Sequence, residues 1–166
     1  VPAIPQARTY GFALAGAAFG FGMDTALCVM RLIFSGAFDR FPGLKVILGH
    51  LGEVLPFLMR RMDWAYIRPL PPAFRTLPKA PGEYLRKHVF VTTSGNYYEP
   101  AFMCTLEAFG IDKILLGTDY PYDDQNECHE FLEDLPLPES DKEKIFSQNA
   151  IGMGIFASID PPIPYP

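Results

Sequence analysis

The sequence predicts an α/β fold built on parallel strands. Three short apolar runs, Lys45–His50, His88–Thr93 and Lys113–Asp119, alternate with stretches whose apolar residues recur at helical spacing. Strands separated by helices pair in parallel through right-handed crossovers. The runs end on Gly-His, Thr-Ser-Gly and Thr-Asp. Polar groups at the carboxyl ends of parallel strands are where such folds place their sites.

In chain order, Asp24 is the expected N-cap of a helix over Thr25–Phe38, with Leu27, Met30, Leu32, Ile33 and Phe34 as its apolar positions. Pro42-Gly43 closes that segment. Lys45–His50 then reads as a strand buried on both faces. Glu53–Tyr66 reads as a helix with Leu55, Leu58, Met59 and Met62 on one side and Pro56 in its first turn, where proline is tolerated. Arg68–Gly82 carries Pro69, Pro71, Pro72, Pro78 and Pro81 and reads as a long functional or wrapping loop. A second strand (His88–Thr93), a helix (Glu99–Phe109) and a third strand (Lys113–Asp119) follow. The last helical region is broken, Glu127–Leu135 and Ser140–Ala150, with Ser140 and Glu143 as a capping box. One domain over 1–155 and a loose proline-rich tail over 156–166 are expected.

The 166 residues suffice for one domain, and 49 % hydrophobic with 20 % charged residues is a globular composition. A net charge of -5 disfavours nucleic acid and anionic membranes as partners. Cys28, Cys104 and Cys128 form no CxxC pair and read as small core residues of a reduced, cytoplasmic protein. No signal peptide is expected. The apolar stretch Tyr10–Met23 has 14 residues, short of the roughly 20 that span a bilayer, so a soluble protein is expected.

Three clusters could carry chemistry. In Gly49-His50-Leu51-Gly52-Glu53 the glycines let the backbone turn, and Glu53 could accept a proton from one imidazole nitrogen and fix its tautomer. The other reading is a buried histidine that bonds a carbonyl, with Glu53 as a helix N-terminal charge. In Gly117-Thr118-Asp119-Tyr120-Pro121 an apolar strand ends in a carboxylate that needs a metal, an imidazole or solvent; an N-cap or an exposed Asp is the alternative. Thr92-Thr93-Ser94-Gly95-Asn96 supplies either donors to a ligand or ordinary turn chemistry. His88 and His129 read as structural or solvated.

Three stretches carry a family resemblance: Arg31–Glu53 with its Gly-His-Leu-Gly-Glu ending, Phe90–Gly95, and Ile114–Pro121 with Gly-Thr-Asp-Tyr-Pro. Together they resemble the amidohydrolase-related family of the γ-resorcylate, 2,3-dihydroxybenzoate, 5-carboxyvanillate and aminocarboxymuconate semialdehyde decarboxylases, from about Gly22 to Ile151. The resemblance implies the C-terminal portion of a TIM (β/α)₈ barrel, strands six to eight with their helices. It implies a metal-dependent carboxy-lyase for a small aromatic hydroxy-acid, zinc or manganese as cofactor, and a homo-oligomer. It makes Asp119 metal ligand and proton donor, His50 the active-site histidine and Glu53 its orienting group. Arg61 and Thr93 become substrate-binding residues, Arg61 toward a neighbouring subunit. The family's Glu-x-His or His-x-His pair after the first strand and its histidine after the fifth are not in these residues. A whole barrel needs about 250 residues, so the chain is expected to be inactive alone. A lactone or amide hydrolase of the same superfamily, or a non-catalytic half-barrel, are the alternatives.

Overall fold

The computed structural model describes residues 8–155; the proline-rich tail lies outside the described residues. Its elements are α1 (Phe12–Ala15), α2 (Gly20–Phe34), α3 (Ala37–Arg40), β1 (Val46–Leu48), α4 (Leu55–Ile67), α5 (Pro81–His88), β2 (Val89–Thr92), α6 (Glu99–Phe109), β3 (Ile114–Leu115), α7 (Gln125–Asp134), α8 (Glu139–Glu143) and α9 (Asn149–Gly152). A π-helical turn, Lys144–Gln148, joins the last two. The strands form one parallel sheet in the order β1-β2-β3, as the alternation predicts.

The sheet register explains which residues make the core. Leu48 lies opposite Val91, and Val91 opposite Ile114. All three are 4 % exposed or less, on the face that the helices cover. Side chains alternate along a strand, so Ile47 and its partner Phe90 point the other way. Phe90 is capped by the ammonium groups of Lys45 and Lys113, 5.7 and 3.9 Å from its ring centre. Ile47 is 45 % exposed, so β1 is not buried on both faces.

The longest helix begins earlier than its capping signal suggests. Asp24 lies inside α2, not at its N-cap. Gly22, Ala26, Val29 and Ile33 form its buried stripe. A Cβ on Gly22 would sit 2.4 Å from Oε2 of Glu53, so a larger residue there would push the Glu53 side chain aside. Gly36, at φ 73°, ends the segment before Pro42-Gly43 does, and α3 restarts beyond it. By length and composition Phe12–Phe34 could cross a membrane, with a mean hydropathy of 1.6, which extends the apolar stretch past Met23. Residues 16–19 divide it into α1 and α2, and α2 packs Val29 and Ile33 into the core.

The proline-rich segment also differs from expectation. It ends at Ala80, because α5 starts on Pro81. The Gly82 N–H donates to Oδ1 of Asp63 at 2.7 Å, and Glu83 accepts from the Ala80 N–H. These two carboxylates satisfy orphan amides of the first turn. The loop is tied down by Tyr66, whose hydroxyl accepts from the Leu77 N–H and donates to the Leu77 carbonyl. At the C-terminal side, Pro138 takes the N-cap of α8 and no side chain caps it, so the Ser140–Glu143 capping box does not form. Cys128 is buried as expected, whereas Cys28 is exposed on α2.

Candidate active site at the carboxyl ends of the strands

His50 follows β1, Thr93 follows β2 and Asp119 lies beyond β3, so all three belong to the same end of the parallel sheet. This end is also where the backbone is least relaxed. The non-glycine residues with positive φ, among those described, are His50 (51°), Leu51 (55°), Glu53 (58°) and Asp119 (60°). A side chain disfavours that region by about 1–2 kcal/mol. Such residues persist where surrounding structure over-determines them, and they cluster at functional sites.

His50 is fixed by the loop after β2. Its Nδ1–H donates to the Ser94 carbonyl at 2.9 Å, and its backbone N–H donates to Ser94 Oγ at 3.2 Å. A carbonyl only accepts, so Nδ1 carries the proton and Nε2 the lone pair of the neutral ring. The partner that sets the tautomer is therefore Ser94, not Glu53. Gly95, at φ 65°, lies against the ring: a Cβ there would stand 2.6 Å from Nδ1 of His50 and 3.4 Å from Oδ2 of Asp123. Asp123 thus faces the same glycine, and the sequence reading had not singled it out.

Glu53 precedes α4 rather than opening it. Its carboxylate is partly buried against Gly22. Burial raises its pKa above the ordinary 4.5, and the charge of His50 opposes the rise. A raised folded pKa means that the fold disfavours the ionised form. The resulting loss of stability is absent below pH 4.5 and complete once the pH exceeds the folded value. Glu53→Gln should therefore melt higher than the unaltered protein at pH 7, and the gap should close as pH falls toward 4. Calorimetry at the two pH values reads this directly; a gap that widens on acidification would overturn the assignment.

Thr93 does not face a ligand. It is fully buried, its hydroxyl donates to the Gly117 carbonyl at 2.9 Å, and it accepts from the Gly117 N–H at 3.1 Å. The hydroxyl also lies 3.6 Å from the Cys128 sulfur, so in these residues Thr93 serves β3's continuation and α7 rather than the open rim on which it was expected to bind substrate. Arg61 is exposed on α4, with its guanidinium over the Trp64 ring at 4.8 Å. His88 is buried, bonds the Leu44 carbonyl at 2.9 Å and stacks on Phe38. His129 is exposed, 3.9 Å from Glu133. Neither joins the site.

Tyr97 was missed by the sequence reading. Its hydroxyl donates to the Thr118 carbonyl at 3.0 Å, next to Asp119. Burial, then the neighbouring Cys128, push its phenol up to about 12, so it remains a donor at any ordinary pH. Among the described residues no three His, Cys, Asp or Glu side chains stand together as a metal site. A catalytic metal centre usually takes three protein ligands, so the donors present here do not make up one.

The comparisons place this arrangement in a family. The profile described as Amidohydrolase matches residues 6–153. A γ-resorcylate decarboxylase of Polaromonas sp. strain JS666 is 37 % identical over 155 residues, covering 90 % of this chain and 46 % of the relative. A dihydroxybenzoic acid decarboxylase structure from the same strain, with bound manganese and the inhibitor 2-nitroresorcinol, superposes with a TM-score of 0.83 at 33 % identity. That match covers 96 % of this chain and 48 % of the other. A 2,6-dihydroxybenzoate decarboxylase in complex with 2,6-dihydroxybenzoate gives 0.84 at 31 % identity, covering 95 % and 50 %. The chain spans about half the length of the curated relatives it matches. On the family match and these identities, the chain belongs to the amidohydrolase family, in the company of its aromatic-acid decarboxylases.

Proposed function

We propose that this chain supplies one side of the active site of a metal-dependent carboxy-lyase for a small aromatic hydroxy-acid of the dihydroxybenzoate class. The observation that carries the reading is the strained rim. His50 and Asp119 follow the two outer strands of one sheet, at its carboxyl end on either side of β2, both at positive φ. The decarboxylases above are similar to this chain over nearly all of its length. The strands correspond, on this reading, to the sixth to eighth of a (β/α)₈ barrel.

The residues here have separate tasks. Asp119 delivers a proton to the ring carbon that bears the substrate carboxylate. The bond between that carbon and the carboxylate then breaks, carbon dioxide leaves, and the electron pair restores the aromatic ring. Asp119 is left as the carboxylate and regains a proton from water. His50, held by Ser94, presents Nε2 to the substrate and orients it. Glu53 acts on His50 through its charge rather than through a hydrogen bond. Arg61 is the chain's contribution to a neighbouring subunit's site in a homo-oligomer, and the protein works in the cytoplasm. A divalent ion, zinc or manganese, would take Asp119 as its one ligand from this chain and its other ligands from outside these residues.

The test is product analysis with the full-length protein and manganese. Carboxyl-labelled 2,6-dihydroxybenzoate should yield labelled carbon dioxide and resorcinol in equal amounts. Turnover of a lactone or amide, with no carbon dioxide from any hydroxybenzoate, would make the protein a hydrolase instead.

A further inference from the structure

The backbone that carries Asp119 leaves the sheet before it reaches that residue. The β2–β3 pairing ends at Leu115. Beyond it, the chain is held by bonds outside the strand ladder. The Leu116 N–H donates to the Ile145 carbonyl at 2.9 Å. That carbonyl is available because the π-helical turn shifts the helical pattern: the Asn149 N–H bonds Lys144, five residues back, and passes over Ile145. Gly117 is held on both its N–H and its carbonyl by Thr93, and its carbonyl also accepts from the Cys128 thiol at 3.4 Å. The Thr118 carbonyl accepts from Tyr97. Asp119 follows at φ 60°, a conformation that a residue with a Cβ keeps only if its neighbours impose it.

We infer that Tyr97 and Cys128 are positioning residues for Asp119: the phenol and the thiol clamp the two carbonyls ahead of it and hold its carboxyl where the reaction needs it. The inference rests on the proposed role of Asp119 and adds two residues that act on it through the backbone. Tyr97 comes from the loop after β2 and Cys128 from α7, so the clamp joins two elements at the point where the ladder no longer reaches. The Cys128 side chain is fully buried, and the Tyr97 ring packs on Phe131 at 5.9 Å. Tyr97→Phe keeps that packing and removes the hydroxyl, with its bond to Thr118 and its contact with Cys128.

Two readouts on the full-length protein test the clamp. In Tyr97→Phe the amides of residues 116–120 should exchange with deuterium about three- to tenfold faster, the worth of one hydrogen bond, while the rest of the protein is unchanged. Carbon dioxide release should fall about tenfold in kcat with KM within twofold, because a misplaced reacting group loses rate and not substrate affinity. If Tyr97→Phe does not fold, Cys128→Ala should give the same pair of changes. Unaltered exchange in both variants overturns the clamp, and so does faster exchange with unaltered kcat. If the unaltered protein releases no carbon dioxide, the decarboxylase reading fails, and the exchange measurement alone decides whether the clamp exists.

Discussion

Asp119→Asn in the full-length protein should slow carbon dioxide release by roughly 10²–10⁴-fold, the range over which a positioned acid contributes. Asparagine is close to isosteric and is among the residues that best tolerate positive φ. The turn at φ 60° should therefore survive, and the melting temperature should stay near that of the unaltered protein. What is lost is the proton, since an amide cannot deliver one to a ring carbon. A variant within a few-fold of the unaltered rate would show that the proton comes from another group, with Asp123, which faces Gly95 beside His50, the next carboxylate to examine.

Phe102→Ala should cost about 3–5 kcal/mol of stability. Phe102 is fully buried, meets Phe131 edge-on at 6.1 Å, and ties α6 to α7 beneath the sheet. Its removal leaves a cavity between the two helices. Against the ~5–15 kcal/mol that holds a typical domain together, that is a large share. At about 2–4 °C per kcal/mol for a chain of this size, the melting point should drop by on the order of 10 °C. A loss below about 1 kcal/mol in urea titration would mean that the site collapses around the truncation and that α6 and α7 are not rigidly placed.

Much of this architecture can be read from the residues in order. The three apolar runs that stop at Gly-His, Thr-Ser-Gly and Thr-Asp give the strands and the rim, and Glu99–Phe109 is a helix with those bounds. What cannot be read that way depends on distant contacts. Gly20 and Gly22 look like a poor helix start, yet α2 includes both, with Gly22 packed against the Glu53 carboxylate. The short helix α5 opens on the last two residues of the proline-rich run, and its first-turn partner Asp63 lies on another helix. Glu53, three residues after His50, was the natural partner by spacing. The positive φ values at His50 and Glu53 turn the chain so that Ser94, 44 residues away, holds the ring instead. A hydroxyl at a strand end is a common ligand donor, but the neighbour of Thr93 in space is the Gly117 backbone. Tyr97 and Cys128 carry no local signal, since each acts on a carbonyl more than ten residues away.

The most direct test of the central claim, that this chain holds one side of a metal-dependent site, is the manganese dependence of the melting temperature. A ligand that binds only the folded state raises stability in proportion to the logarithm of its concentration above Kd. The 166-residue chain contributes Asp119 but no set of three donors among its described residues. Its melting curve should be the same with and without manganese, whereas the full-length protein should melt higher as manganese is added and lose that response in Asp119→Ala. Stoichiometric manganese in the short chain, or a full-length response that survives Asp119→Ala, would contradict the account.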